Sequence, residues 1–501
     1  MNLVGPDIPW GDLMPMLILL GGVCFLLLVG SLVPTWPKNG FANFTIAVSF
    51  AAIVFSAIQW NDLGKKTATT IINDAIVVDR FAVFATIIIL LSVLLGAILM
   101  NTHLQREKAD GPELYALLLT AAIGGLVMVA GNELIVLFLG LETLSLSLYL
   151  MAASNRRREQ SQEAGLKYFV LGGFSSAFFL YGAAFVYGST GSTNLASIAT
   201  KLSSTVSIAN TDAMLLVGIG LMLVGIAFKV SAAPFHVWTP DVYEGSPSPV
   251  TAFMATAGKV AAFAMLLRIL VTTLSNRVDD WRPVIWALAI LTVFVGSILA
   301  VMQTNVKRML AYSSISHAGF ILVGVEAASH PRSDGISSSM AYLLIYTVLV
   351  MGSFAVVVTM SGPDDSHTML SDFKGLAKRR PSLALAFSVL LLAQAGVPVT
   401  AGFIAKFGVI KSAVDVNSYS IAIAAMVGAV VGAYLYLRIM ISMWLEEPSS
   451  TDSVDVPFGN AFVITVAVVF TLVVGLFPSL LLDVTKLITI FDVTKIVPDA
   501  S

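Results

Sequence analysis

Residues 383–413 read LALAFSVLLLAQAGVPVTAGFIAKFGVIKSA. The run is apolar nearly throughout, and it is too long for one straight membrane crossing of about 20 residues. Gln394, Gly396, Pro398 and Gly402 interrupt it. Proline removes a backbone donor and glycine loosens the helix, so the stretch predicts two half-helices joined by unwound backbone. Unwound backbone at membrane depth must be buried in protein or line a wet cavity. Lys406 follows the break. A second run, 212–232, ends in Lys229 and then meets Pro234 and the uncapped stretch PFHVWTPDVYEGSPSPV, 234–250. It predicts a second broken helix.

The chain around these breaks is built for lipid. Of its 501 residues, 57% are hydrophobic and 12% charged, the latter about half the soluble norm of about 25%. Apolar segments recur from 12–34 to 459–484, about fourteen in all, which predicts an all-α polytopic membrane protein. The N-terminal MNLVGPDIPWGDLMP lacks a basic region, so the first apolar run reads as a retained helix and not a cleaved signal. Cys24 is the only cysteine, which excludes disulfides within the chain and cysteine-ligated iron–sulfur clusters. No glycine-rich phosphate loop is present, and no basic patch suits nucleic acid.

Loop charges orient the segments. Odd-numbered loops carry Lys38, Arg106 and Lys108, Arg156 to Arg158, Lys307 and Arg308, and Lys374 and Lys378 to Arg380; even loops carry the sparser Lys65, Lys66, Lys201, Arg277, Arg282 and Arg332. The odd loops are expected in the cytoplasm and both termini on the opposite side. An internal repeat is also visible. Glu142 precedes Lys229 by 87 positions and His317 precedes Lys406 by 89, each pair ending in a broken helix. The expected units are 1–110 for the first three helices, 111–278 and 279–447 for two five-helix repeats, and 448–501 for a C-terminal helix and tail. An odd number of crossings inverts the second repeat, a plan shared by many transporters.

Glu142, Lys229, Lys259 and Lys406 lie in segments expected inside the bilayer. A charge at bilayer centre costs about 2.5–3.5 kcal/mol on insertion scales, so its default reading is a path for charge, most simply a proton. Glu142 and Lys229 are candidates for a switchable pair or for a structural ion pair. Lys259 reads as a relay site or as a lysine tied to a carbonyl of a broken helix, and the same alternatives hold for Lys406. His317, about ten residues into its segment, suits a relay near neutrality or a hydrogen-bonded core position. Arg268 and Arg438 lie near segment ends and are expected to snorkel outward. Lys167 marks an interface, and Asp241 and Glu244 suit a solvated face or a proton-gathering mouth.

FLGLETLSLSLYL (138–150), EAGLKYFVLGGFSSAFFLYG (163–182), FKVSAAPFHVWTPDVYEGSPSPV (228–250), NVKRMLAYSSISHAGF (305–320) and VPVTAGFIAKF (397–407) resemble the antiporter-like subunits of respiratory complex I. The resemblance covers about residues 110–445 and is closest to subunit N, called subunit 2 in mitochondria and chloroplasts. One departure is Ser147, where the family often has proline, which leaves the bend of segment five open. The resemblance implies a proton-translocating subunit of NADH:quinone oxidoreductase in a bacterial plasma membrane. Glu142, Lys229, Lys259 and Lys406, with His317 less directly, would carry the proton. NADH, flavin, iron–sulfur clusters and quinone would belong to other subunits, and the partners would be other membrane subunits, including antiporter-like neighbours. A subunit of a multi-subunit cation/proton antiporter shares the broken-helix lysines and is the alternative.

Overall fold

The computed structural model describes residues 9–33, 36–37, 39–109, 111–204, 209–331, 333–448 and 453–491. Lys38 and Arg332, two of the orienting loop charges, lie outside the described residues, as do the first eight residues.

Helices dominate. The N-terminal set is α1 (Trp10–Leu32), α2 (Gly40–Asp62) and α3 (Arg80–Arg106). The first repeat contains α4 (Glu113–Ala130), α5 (Leu134–Ala152), α6 (Glu159–Thr190), the short α7 (Leu195–Ser204), α8 (Ala209–Val230), α9 (Trp238–Gly245) and α10 (Ser248–Thr273). The second contains α11 (Val278–Val301), α12 (Val306–Ala327), α13 (Gly335–Met360), α14 (Pro381–Ala395), α15 (Ala401–Asp415) and α16 (Tyr419–Leu445). The chain continues through α17 (Phe458–Leu476) and α18 (Ser479–Lys486). Thirteen helices among the described residues are long and apolar enough to cross a membrane, and α14 with α15 makes a fourteenth, broken crossing. One element departs from a purely helical expectation. Strands β1 (Thr69–Ile71) and β2 (Ile76–Val78) form a hairpin, and Ile76 bridges to Gly131 just past α4.

Both expected breaks are present, but they differ. In the second, Gly396 adopts φ +91° and Val399 φ +71°, so the chain leaves α14 and re-enters the helix at Ala401. Here glycine is required, because a side chain is disfavoured at positive φ. In the first, α8 runs to Val230 and ends on Ser231 at φ +62°, and the short α9 follows after a loop. Trp238 Nε1 donates to the freed carbonyl of Phe228 at 3.1 Å, which satisfies an acceptor that the break leaves open. Segment five has no break: α5 is continuous through Ser147, whose hydroxyl donates to Thr143 O at 2.9 Å.

The two repeats begin with the same packing device. A Cβ at Gly124 of α4 would lie 3.0 Å from Leu144 Cα of α5, and one at Gly140 would lie 2.9 Å from Gly124 O. A Cβ at Gly296 of α11 would lie 2.7 Å from Ser316 Cα of α12, and one at Gly319 would lie 2.6 Å from Val293 N. Small residues let apolar helices approach closely where no hydrophobic effect drives them together. Helix α12 sits at the centre of the second repeat: every residue in it except Arg308 is buried.

Candidate functional site

Lys229, Lys259, His317 and Lys406 come from α8, α10, α12 and α15 and are 6%, 1%, 4% and 7% exposed. None of the four touches a carboxylate among the described residues. Their partners are hydroxyls, carbonyls and rings.

Lys229 ends its helix beside α5. Its Nζ donates to Ser145 Oγ at 2.6 Å and to Tyr149 Oη at 3.4 Å. It also lies 5.3 Å and 5.5 Å from the ring centroids of Tyr149 and Tyr168, within cation–π range. Tyr168 stacks on Trp238 at 4.5 Å, so the aromatic wall of the lysine is the same one that caps the break. Glu142 lies half-buried at the edge of the outward stripe of α5 formed by Ile135, Leu139, Leu146 and Leu150. Its Oε1 atom is buried and has no hydrogen-bond partner among the described residues. The expected Glu142–Lys229 ion pair is therefore not closed. Ser145 and Tyr149 stand three and seven residues after Glu142 on one helical face, a bridge one to two turns long.

Lys259 follows a π-helical turn, Met254–Gly258, and a second π turn, Ile269–Thr273, closes the same helix. Such turns displace the backbone ladder and often mark functional positions. Lys259 Nζ donates to Ser314 O at 2.6 Å and lies 5.8 Å from the Tyr346 ring centroid. The acceptor is on the continuous α12, so the alternative of a bond to a broken-helix carbonyl is not what Lys259 makes. Ser314 Oγ bonds Tyr346 Oη at 2.6 Å.

His317 lies one turn from Ser313 and Ser314 on α12. Its Nδ1 is 2.7 Å from Tyr342 Oη and its Nε2 is 3.2 Å from Tyr436 Oη. Tyr436 Oη in turn bonds Ser313 Oγ at 2.6 Å. Lys406 Nζ donates to Ala395 O at 2.9 Å, the carbonyl released at the α14–α15 break, and lies 4.9 Å from the Phe320 ring centroid. A cavity of about 10 Å³ joins the two groups, lined by Ser297, Ser313, Ser316, His317, Lys406 and Tyr436 among others. That is about the space for one water, with enough polar partners to hold it. The second repeat thus carries a nearly continuous polar file from Lys259 to Lys406. No hydrogen bond among the described residues connects Lys229 to Lys259.

Two charges, Arg268 and Lys307, behave otherwise than the sequence suggested. Arg268 does not snorkel: it is fully buried, and its Nη atoms donate to both oxygens of Asp79 at 3.0 Å while Nε and Nη2 donate to Val129 O. Asp79 also caps α3 by accepting from Ala82 N. Lys307, expected in a loop, is fully buried and donates to Asp365 Oδ2 at 2.9 Å and to Ser246 O. Burial alone would raise the Asp365 pKa, but Lys307 and the bonds from Lys307 and Ser248 hold it well below the usual carboxylate range. Arg438 reaches the carbonyls of Val301 and Gln303 at the end of α11. Lys167, Asp241, Glu244 and Arg308 form a surface ion cluster around a crevice of about 230 Å³. Burial opposes ionisation of Asp241, yet Lys167 and Arg308 hold its pKa below the ordinary value.

The sequence reading missed Ser145, Tyr149, Tyr346, Tyr436 and Asp365. The spacing of Ser145 and Tyr149 from Glu142 was a usable signal. Tyr436, which lies 119 positions from His317, had none. Among the described residues, no three His, Cys, Asp or Glu side chains gather as a metal site.

Two broken helices, with one lysine against each, define the class. A family model described as NADH:quinone oxidoreductase/Mrp antiporter, TM, matches residues 131–432. NADH-quinone oxidoreductase subunit N of Trichlorobacter lovleyi is 40% identical over 461 residues, covering 91% of this chain and 92% of that one. A chain of respiratory complex I from Thermus thermophilus, solved with bound aureothin, superposes with a TM-score of 0.80 at 32% identity, covering 95% of this chain and 100% of its own. A chain of the Mrp complex from a Dietzia species superposes at 0.83 with 20% identity over 96% and 97%, a likeness of fold alone. The chain belongs to the family of NADH-quinone oxidoreductase subunit N.

Proposed function

We propose that this chain is a proton-translocating membrane subunit of an NADH:quinone oxidoreductase, with other membrane subunits as its neighbours. The observation that carries the reading is the set of buried lysines bound only to neutral partners. A lysine held by hydroxyls and carbonyls gives up its proton without leaving a carboxylate unpaired, so each site has two usable charge states. Glu142 accepts a proton beside Lys229, Lys259 connects the repeats, and His317 and Lys406 pass the proton through the second repeat. The chain holds no redox centre of its own. NADH, flavin, iron–sulfur clusters and quinone sit in other subunits, and quinone reduction there drives the charge changes. Moving one proton against 100 mV requires about 2.3 kcal/mol. The odd loops face the cytoplasm of a bacterial cell and both termini face away from it.

The test uses Lys229→Ala and Lys406→Ala in the assembled complex, reconstituted in vesicles. Quinone-coupled proton pumping falls at least about tenfold, or about 1.4 kcal/mol. Native pumping and native quinone-coupled turnover in both variants would sink the reading. The cation/proton antiporter alternative shares the matching family description. Purification separates the two: flavin and iron–sulfur signals that travel with the chain support the oxidoreductase, and their absence from an otherwise intact assembly supports the antiporter.

A further inference from the structure

A proton at Lys406 must still leave the second repeat, and α12 carries one more buried acid. Glu326 lies at the far end of that helix, nine residues beyond His317, or about 13 Å along the axis. Its side chain is 1% exposed. Oε1 accepts from Arg282 Nε and from Ser418 Oγ, both at 2.8 Å. Oε2 is buried and has no hydrogen-bond partner among the described residues. A buried carboxylate oxygen left open is costly, so its persistence calls for a use. Arg282 is only partly buried, with 34% of its side chain exposed, and so connects Glu326 to the surface.

Three hydroxyls, of Ser412, Ser338 and Ser339, stand on the elements between Lys406 and this acid. Ser412, six residues past Lys406 on α15, donates to Ser338 Oγ of α13 at 3.0 Å. The neighbouring Ser339 has a buried Oγ with no hydrogen-bond partner among the described residues. That hydroxyl lies against the backbone of Gly324, so close that a Cβ there would overlap it, and Gly324 is two residues from Glu326. Lys406 and Ser412 are separated by about 9 Å along the helix.

We infer that Glu326 is the proton-release group of the second repeat, fed from Lys406 through the hydroxyls of Ser412, Ser338 and Ser339. The inference rests on the proton-translocating reading above. The Lys406 ammonium gives one proton to the hydroxyl file, and the file gives one to the Glu326 carboxylate. Lysine and acid are then both neutral. The protonated Glu326 loosens from Arg282, releases its proton to water at the surface and returns to the ion pair.

The test compares Glu326→Gln and Glu326→Asp in the assembled complex in vesicles, with Lys406→Ala beside them. Glu326→Gln keeps the shape and the acceptor for Arg282 but cannot carry a proton. It is expected to slow quinone-coupled pumping at least about tenfold, the low end of what a proton-transfer group contributes. Glu326→Asp restores most of it. Native pumping in Glu326→Gln, or equal loss in the Gln and Asp variants, overturns the inference. If Glu326→Gln does not assemble, Ser339→Ala decides: several-fold slower pumping supports the hydroxyl file, and native pumping overturns it. If Lys406→Ala itself pumps normally, the parent reading has failed; if only Glu326→Gln pumps normally, the release site alone has failed.

Discussion

Two sets of buried cations divide this molecule. Arg268 and Lys307, toward the ends of the bundle, each contact a carboxylate, Asp79 and Asp365. Lys229, Lys259 and Lys406, in the crossings and at the breaks, are held by hydroxyls, carbonyls and aromatic rings. All five are removed from solvent. The difference lies in what remains when the proton leaves. A lysine paired with a carboxylate keeps its proton, because deprotonation strands the acid in a dry site. A lysine with neutral partners strands nothing. The carboxylate-paired cations therefore tie helices to one another, and the neutral-partnered lysines are the ones on which the proposed proton transfer rests.

The largest effect is expected from breaking a paired cation. Asp365→Asn leaves Lys307 without its counter-charge, a loss of about 3–5 kcal/mol for a buried pair, read as a lower thermal midpoint of the purified complex and less assembled material. The pH dependence has a definite sign. The folded pKa of Asp365 is depressed, so its contribution is fully present above the unfolded value of about 3.9 and is lost as pH falls below it. The gap in midpoint between native and Asp365→Asn should narrow under acid. A gap independent of pH would break the comparison on the paired side.

Lys259→Met tests the other side. Lys259 has no carboxylate partner among the described residues, so an apolar chain of similar length in its place leaves no uncompensated charge buried, and assembly and thermal midpoint should hold. Proton pumping should fall at least about tenfold. Destabilisation like that of Asp365→Asn would show that Lys259 is structural. The smallest expected effect is that of Ser145→Ala, which removes one partner of Lys229 and leaves Tyr149. Loss of one such bond is worth about 1–3 kcal/mol at most. Pumping should fall by less than in Lys229→Ala, measured side by side in vesicles. An equal fall would mean that Ser145 alone sustains the charged lysine.

Much of this was legible in residue order. The membrane class follows from apolar runs of spanning length, and both breaks follow from proline and glycine beside lysine. The four ionisable groups were conspicuous because lipid-length segments seldom carry charge. The bond from Lys406 to a carbonyl freed at the break was also an expected alternative, since an unwound turn always releases acceptors. Arg268 and Lys307 were misread for a shared reason. Near a segment end, sequence suggests an outward route, but their carboxylate partners lie 189 and 58 positions away and draw them inward. For Glu142 and Lys229 the sequence left a switchable pair and a structural ion pair open, because helix assignment brings two segments together but does not set how far each side chain rotates toward the other.

The sequence by itself determined that this chain crosses a membrane many times, that two crossings are broken, and that charges stand where lipid forbids them without a reason. Those properties are local, set by transfer energies and backbone chemistry over about 20 residues at a time. Only the tertiary structure decided which buried charges meet a carboxylate and which meet neutral partners. That depends on contacts such as Tyr436 with His317 or Asp79 with Arg268, made between residues more than a hundred positions apart. Helix packing creates these contacts, and no window of sequence contains both partners.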